Sequence, residues 1–288
     1  MSHRRKEAFA SLVGILLIAG CHSNADHALS EAPINLDARI IAAHRPVVIL
    51  IGEFGPDGAD QASAALVEDA QAQAAHHGFE FIPIELTVSR NRAIAARYHP
   101  AKTPLLVCLS PTGLIASRDE PPITTDLIAR WLDQLQPRVI ELDAKYIPLA
   151  DAVENNKSDI HAQLALANFL LAQHNDREAI PHLTAIADSK TADPKLRIDA
   201  WVNMARAHLW IVEPEKARHE SQALIATLGP VSPLAIAGGN LVHGLQDATA
   251  KRFALARKEF KASVAAAPDS DYAKQAAAAL AQLPKEGR

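Results

Sequence analysis

Sulfur, aromatic rings and positive charge are all scarce in this chain. Two cysteines among 288 residues exclude a disulfide framework and a four-cysteine zinc site. Aromatic residues make up 5%, so Ala, Leu, Ile and Val must fill the core. Lys and Arg number 29 against 33 Asp and Glu, a formal net charge of −4, which excludes an overall positive field that would draw nucleic acid. A Gly-x-Ser-x-Gly elbow, a phosphate loop and a dinucleotide fingerprint are missing. The 13 histidines include no pair at metal-ligand spacing beside a carboxylate; His182, His208 and His219 could meet only across repeats. No metal or other cofactor is expected. What is present, 49% hydrophobic and 22% charged residues, is the mix of a folded chain with room for about two domains.

The chain opens with Arg4, Arg5 and Lys6, an apolar run from Leu12 to Ile18, and then Ile18-Ala19-Gly20-Cys21. The run is short for a membrane span, which needs about 20 residues, and has the make-up of a secretory signal. The residues alone leave open an ordinary signal peptide with an incidental Cys, or an uncleaved anchor. The four residues ending at Cys21 resemble the bacterial lipobox, in which the Cys becomes the lipidated N-terminus. That resemblance implies a signal over residues 1–20. Its removal takes away three basic residues and Glu7 and moves the formal charge from −4 to −6. It further implies a lipid-anchored protein of the bacterial envelope facing the periplasm, and His22 in place of Asp after the Cys points to the outer membrane. Residues 21–33 read as a flexible tether; eleven such residues reach about 20 Å.

From Pro33 the pattern alternates. Leu36–His44 reads as a short helix, Pro46–Ile51 as a strand buried on both faces, and Gly52–Gly58 as a loop. Asp60–His77 is an Ala-rich helix stopped by Gly78, Phe79–Leu86 a strand, and Ser89 caps a helix to about Tyr98. Pro104–Leu109 is a third strand. Pro111-Thr112-Gly113 turns it into Leu114–Ser117, and Thr125 or Asp126 starts a helix through Leu135. Pro83 cannot donate to a ladder, so its strand is expected at an edge or bulged.

This order, with Thr103-Pro104 before the third strand, resembles the thioredoxin fold over residues 34–138. The resemblance implies a cis bond before Pro104 and a peptide held against Thr103. Where a redox pair would lie, the chain reads Phe54-Gly55-Pro56-Asp57, so neither sulfur is there. Phe54 is expected to offer an apolar face, and Asp57 suits a helix cap. Phe54, Gly55, Pro56, Asp57, Thr103 and Pro104 form the expected peptide-binding groove; a mere spacer role for this fold stays open. Cys108, in an apolar strand, is expected to be buried and inert.

Residues 137–145 read as a link to residues 145–284, where helices follow one another without strands. Leu166-Ala167, Asn175-Asp176, Ala179 and Leu183 align with Trp201, Met204-Ala205, Glu213-Pro214, Ala217 and Leu224. A third set holds Gly244, Ala256, Phe260 and Pro268. Ala179 to Ala217 is 38 residues and Ala217 to Ala256 is 39. Such pairs resemble tetratricopeptide repeats, whose period is about 34. Small residues let paired helices approach, Pro181 should kink its helix, Gly238-Gly239 should weaken the third repeat, and Asp271–Leu283 reads as a cap. Asn168 and Asn203 match two asparagines of the family's carboxylate clamp. Leu164, Gly238 and Val242 stand where its basic residues would be, so the clamp is not carried over. Asn168, Asn203 and Arg206 remain candidates for a concave face.

The expectation is therefore an α/β thioredoxin-like domain followed by an all-α repeat domain. That order looks like the chaperedoxin co-chaperones, although those lack an export signal. It implies a redox-inactive, membrane-tethered binder of proteins or peptides, chaperone-like or an assembly factor, and not an enzyme. The alternatives are an envelope scaffold for one partner and a single-thiol protein using Cys108.

Overall fold

The computed structural model describes residues 36–54, 61–86, 88, 91–98, 102–119 and 124–284. The leader, Cys21, the tether, Gly55-Pro56-Asp57 and the Ser89 cap lie outside the described residues. By contacts the chain divides into Met1–Pro33 and the compact unit Ile34–Arg288, to which all the described residues belong.

Eleven α-helices and four strands follow in order among the described residues. They begin α1 (Leu36–Ala43), β1 (Val47–Gly52), α2 (Gln61–His76), β2 (Glu80–Glu85), α3 (Arg92–Tyr98), β3 (Leu105–Leu109) and β4 (Ile115–Asp119). The sheet order is β2-β1-β3-β4, with β1 parallel to β2 and antiparallel to β3, and β3 antiparallel to β4. Every residue of β1 is buried, as its unbroken apolar run requires. Val48, Leu50, Leu106 and Cys108 face one core with Ala70 and Ala74 of α2. Val47, Ile49, Ile51 and Val107 face a second core with Ile40 of α1 and Tyr98 of α3. Pro83 lies on edge strand β2, where a missing donor is tolerated. Gly78 ends α2 at φ +77°, a conformation that favours glycine.

The next helix departs from the sequence expectation. Helix α4 runs from Thr125 to Asn155, straight through Pro137 and Pro148, so residues 137–145 are helix rather than link. Both prolines are exposed, as are Asp133 and Ala144, whose carbonyls each proline leaves without a helical donor, so water can serve them. On the opposite side Leu132, Leu135, Val139, Leu142 and Val153 keep one apolar stripe unbroken. Thr124 Oγ1 caps the start by accepting from Leu127 N (3.3 Å). The core lined by Cys108 continues along this stripe to Leu166, Leu183 and Met204, so sheet and helices share one interior.

Helical hairpins follow: α5 (Ile160–Ala172) with α6 (Asp176–Ala187), α7 (Pro194–Trp210) with α8 (Pro214–Leu228), and α9 (Pro233–Thr249) with α10 (Phe253–Ala266). Helix α11 (Asp271–Gln282) closes the array. Ala179, Ala217 and Ala256 are fully buried, each followed by a buried Leu183, Leu224 or Phe260. The turns inside the hairpins are identical in kind. His174, Val212 and Lys251 are left-handed, at φ 56°, 56° and 58°. The next residue donates back five positions, Asn175 to Leu170 O (2.9 Å), Glu213 to His208 O (2.7 Å) and Arg252 to Asp247 O (2.8 Å). These are Schellman turns, in which glycine usually takes the left-handed place. Their spacing, 38 and 39 residues, repeats that of the alanines.

Two further expectations change. Helix α6 is continuous through Pro181. Gly238 and Gly239 are points of contact rather than weak points. A Cβ on Gly238 would stand 2.6 Å from Val202 Cγ2, and one on Gly239 2.5 Å from Ile225 Cγ1. Their lack of a side chain lets α9 close on α7 and α8.

Candidate functional site

The carboxyl end of β1 gathers the candidate groove residues that are described. Ile51 pairs with Leu105, which brings Thr103-Pro104 beside that end, and Gly52 pairs with Glu85 on the other flank. The Thr103–Pro104 bond is cis, Thr103 is exposed and Pro104 half-buried. Phe54 N–H donates to Glu85 Oε2 (2.5 Å), and Leu86 N–H to Gly52 O (2.8 Å). Asn91 Nδ2 in turn donates to Glu85 O (2.9 Å). Glu85 and Asn91 therefore brace the segment that leaves β1, and sequence reasoning missed both. The available signal was a carboxylate inside the apolar run Phe79–Leu86.

Phe54 is placed differently from expectation. A Cβ on Gly52 would stand 2.5 Å from Phe54 Cζ, so the ring folds back over that glycine. It is half-buried against the core shared with α2 and α4. Only part of its face is left for a groove. Gly55, Pro56 and Asp57 lie outside the described residues.

Cys108 is fully buried in β3, and burial pushes its thiol up to about 12. A thiolate is the reactive form, so burial and this shift both disfavour reaction of this sulfur in the folded chain.

On the repeats, Asn168 is exposed on α5 and Asn203 half-buried on α7. Arg206 is engaged rather than free: it donates to Gln275 Oε1 of α11 (3.2 Å). The Tyr272 hydroxyl of α11 reaches Asp199 of α7, with its ring beside Gly238. Burial, and then that bond, raise the Tyr272 pKa. Helix α11 is thus tied to α7 by side-chain bonds. The histidines do not converge. His182 bonds Gln163 (2.7 Å), His208 bonds Glu213 (2.9 Å), and His219 lies by Glu220 (3.7 Å). Among the described residues no cluster of His, Cys, Asp and Glu could hold a metal ion.

A pocket of about 350 Å³, counting its open mouth, lies where the sheet meets the first repeat. Arg97, Tyr98, Ile115, His174, Asp176 and Glu178 help line it. Arg97 pairs with Glu178 (3.7 Å), and burial raises the Asp176 carboxyl. Behind it Asn175 spans the junction. Ile115 N–H donates to Asn175 Oδ1 (2.7 Å), and Asn175 Nδ2 donates to Ile115 O (3.2 Å). The side-chain amide thus covers the backbone of edge strand β4 as a neighbouring strand would.

Among the described residues no helix is long and apolar enough to cross a membrane. No protein-family model matches the chain, and no curated protein matches it.

Proposed function

We propose that this protein is a redox-inactive lipoprotein of the bacterial envelope that holds other proteins or peptides, as a chaperone or an assembly factor. In this reading Cys21 carries the lipid, and the folded part faces the periplasm from the outer membrane. The sheet part is thioredoxin-like: the order β2-β1-β3-β4, its strand directions and the helices on both faces support this. The helical part is a tetratricopeptide-like array, supported by the equivalent Schellman turns. Its partners are proteins and a membrane, not nucleic acid.

The observation that carries the reading lies at the end of β1. Exposed Thr103 offers its backbone to an extended peptide, as in strand addition, while Cys108 is sealed in the core. The test is suppression of aggregation of several unrelated unfolding proteins at a near-stoichiometric ratio, without reduction of insulin disulfides. Suppression of none of them refutes the holding role, and insulin reduction above background refutes redox inactivity. A scaffold for a single partner is the second reading. It is favoured by the engagement of Arg206 and Asp199 by Gln275 and Tyr272 of α11, which leaves less of α7 for varied clients, and it calls for one stoichiometric partner and indifference to unfolded clients.

A further inference from the structure

The turns within the hairpins line one edge of the array, and the chain enters beside that edge. Ile40 of α1 lies 4.0 Å from where a Cβ on Gly113 would stand. Gly113 lines the pocket shared with His174 and Ile211, residues of the first and second turns. Gln246 Nε2 donates to Pro214 O (2.9 Å), and Arg218 Nη2 to Asp247 Oδ1 (3.1 Å), which sets the second turn against the third. From α1 the row therefore runs without a break to Lys251.

The chemistry of this row is distinctive. Among the described residues six large apolar side chains stand exposed, and three are here: Trp210 (68%), Val212 (61%) and Leu255 (48%). Lys251 and Lys258 are exposed beside Leu255. Residues 247–261 hold five basic and two acidic side chains in a chain of negative net charge. Asp247 is buried under Arg218 and Arg252, and Glu213 is engaged by His208 and Lys216. An exposed indole and exposed ammonium groups along one edge suit the interface of an anionic bilayer: the ring sits at headgroup depth and the cations meet lipid phosphates.

We infer that Trp210, Val212, Lys251, Leu255 and Lys258 dock on the anionic surface of the bilayer that holds the lipid anchor. This rests on the lipoprotein reading above. On that reading residues 21–33 are the tether, and a flexible tether of that length reaches about 20 Å, which would hold the folded part near the membrane. A lipid anchor and a basic patch together give the two signals that stable peripheral binding needs.

The test uses the full-length protein matured in a bacterial host and reconstituted on phosphatidylcholine vesicles, with or without phosphatidylglycerol, carrying brominated acyl chains. With phosphatidylglycerol, Trp210 emission shifts to the blue and is quenched, and high salt reverses both. Trp210→Phe removes the quenchable component, since Trp131 is buried and Trp201 half-buried. Lys251→Glu with Lys258→Glu loses the quenching while the protein still floats with the vesicles. Flotation with Trp210 as open to aqueous iodide as in vesicle-free detergent solution overturns the docking alone. Shielding of Trp210 that needs a co-purifying protein rather than lipid also overturns it. Failure to float, with Cys21 unmodified by mass spectrometry, takes down the anchor and the docking together.

Discussion

Replacing Asn175 tests whether the sheet and the repeats melt as one body. Asn175 is 1% exposed, and its amide makes both hydrogen bonds to Ile115, 60 residues away. Asn175→Ala leaves an N–H and a C=O at the junction without these partners. Each such group costs about 1–3 kcal/mol when buried. Ile115 is only partly buried, so a total of about 2–3 kcal/mol is expected. For a chain of this size 1 kcal/mol moves Tm by roughly 2–4 °C, so the variant should melt roughly 4–12 °C lower. The junction also holds Arg97–Glu178 and the bond from Thr112 to Asp143 (2.6 Å), so some coupling persists. Thermal unfolding followed by far-ultraviolet circular dichroism should show one transition in the parent and a broadened or split one in the variant. Asn175→Asp keeps the acceptor for Ile115 N–H but sets a carboxylate against Ile115 O, and should rescue little. A Tm within about 1 °C of the parent and an unchanged single transition would refute the reasoning.

Three other outcomes follow from local geometry. Val212→Gly should raise the unfolding free energy measured in urea by about 0.5–1 kcal/mol, because a left-handed side-chain residue carries about 1–2 kcal/mol of strain, partly offset by the freedom of glycine when unfolded; no rise over Val212→Ala would contradict it. Gly239→Ala should destabilise by about 1–3 kcal/mol despite better helix propensity, since its Cβ would also stand 3.1 Å from Ser221 O; adding Ile225→Ala should recover part of the loss in chemical denaturation. The Cys108 thiol rises from about 9 to about 12 on folding. Above pH 9 the unfolded chain alone gives up this proton, so stability should fall by about 1.4 kcal/mol per pH unit up to pH 12, and a parallel fall in Cys108→Ala would assign the loss to other groups.

Much of the architecture was legible because it rests on near neighbours in sequence. The apolar run at Val47–Ile51, the stop at Gly78, the edge position of the Pro83 strand and the spacing of Ala179, Ala217 and Ala256 each follow from local periodicity or backbone preference. The candidate groove was half legible. Thr103-Pro104 stands at the end of β1, but Phe54 turns inward because Gly52 leaves room for its ring. Nothing local to Phe54 says so.

By its own residues, then, the chain determined where strands and helices form, how often the hairpins recur, and that sulfur is missing from Phe54-Gly55-Pro56-Asp57. Tertiary structure alone decided that α4 passes through Pro137, since both prolines face water and the inner stripe stays unbroken. It also decided that Gly238-Gly239 joins helices, that Arg206 belongs to Gln275, and that a turn residue, Asn175, fastens the sheet to the repeats. The difference is physical. Backbone preference and periodicity act over a few residues, whereas the partner of a buried polar group or a bare glycine is whatever the folded chain brings within a few ångströms, here from as far as 73 residues away.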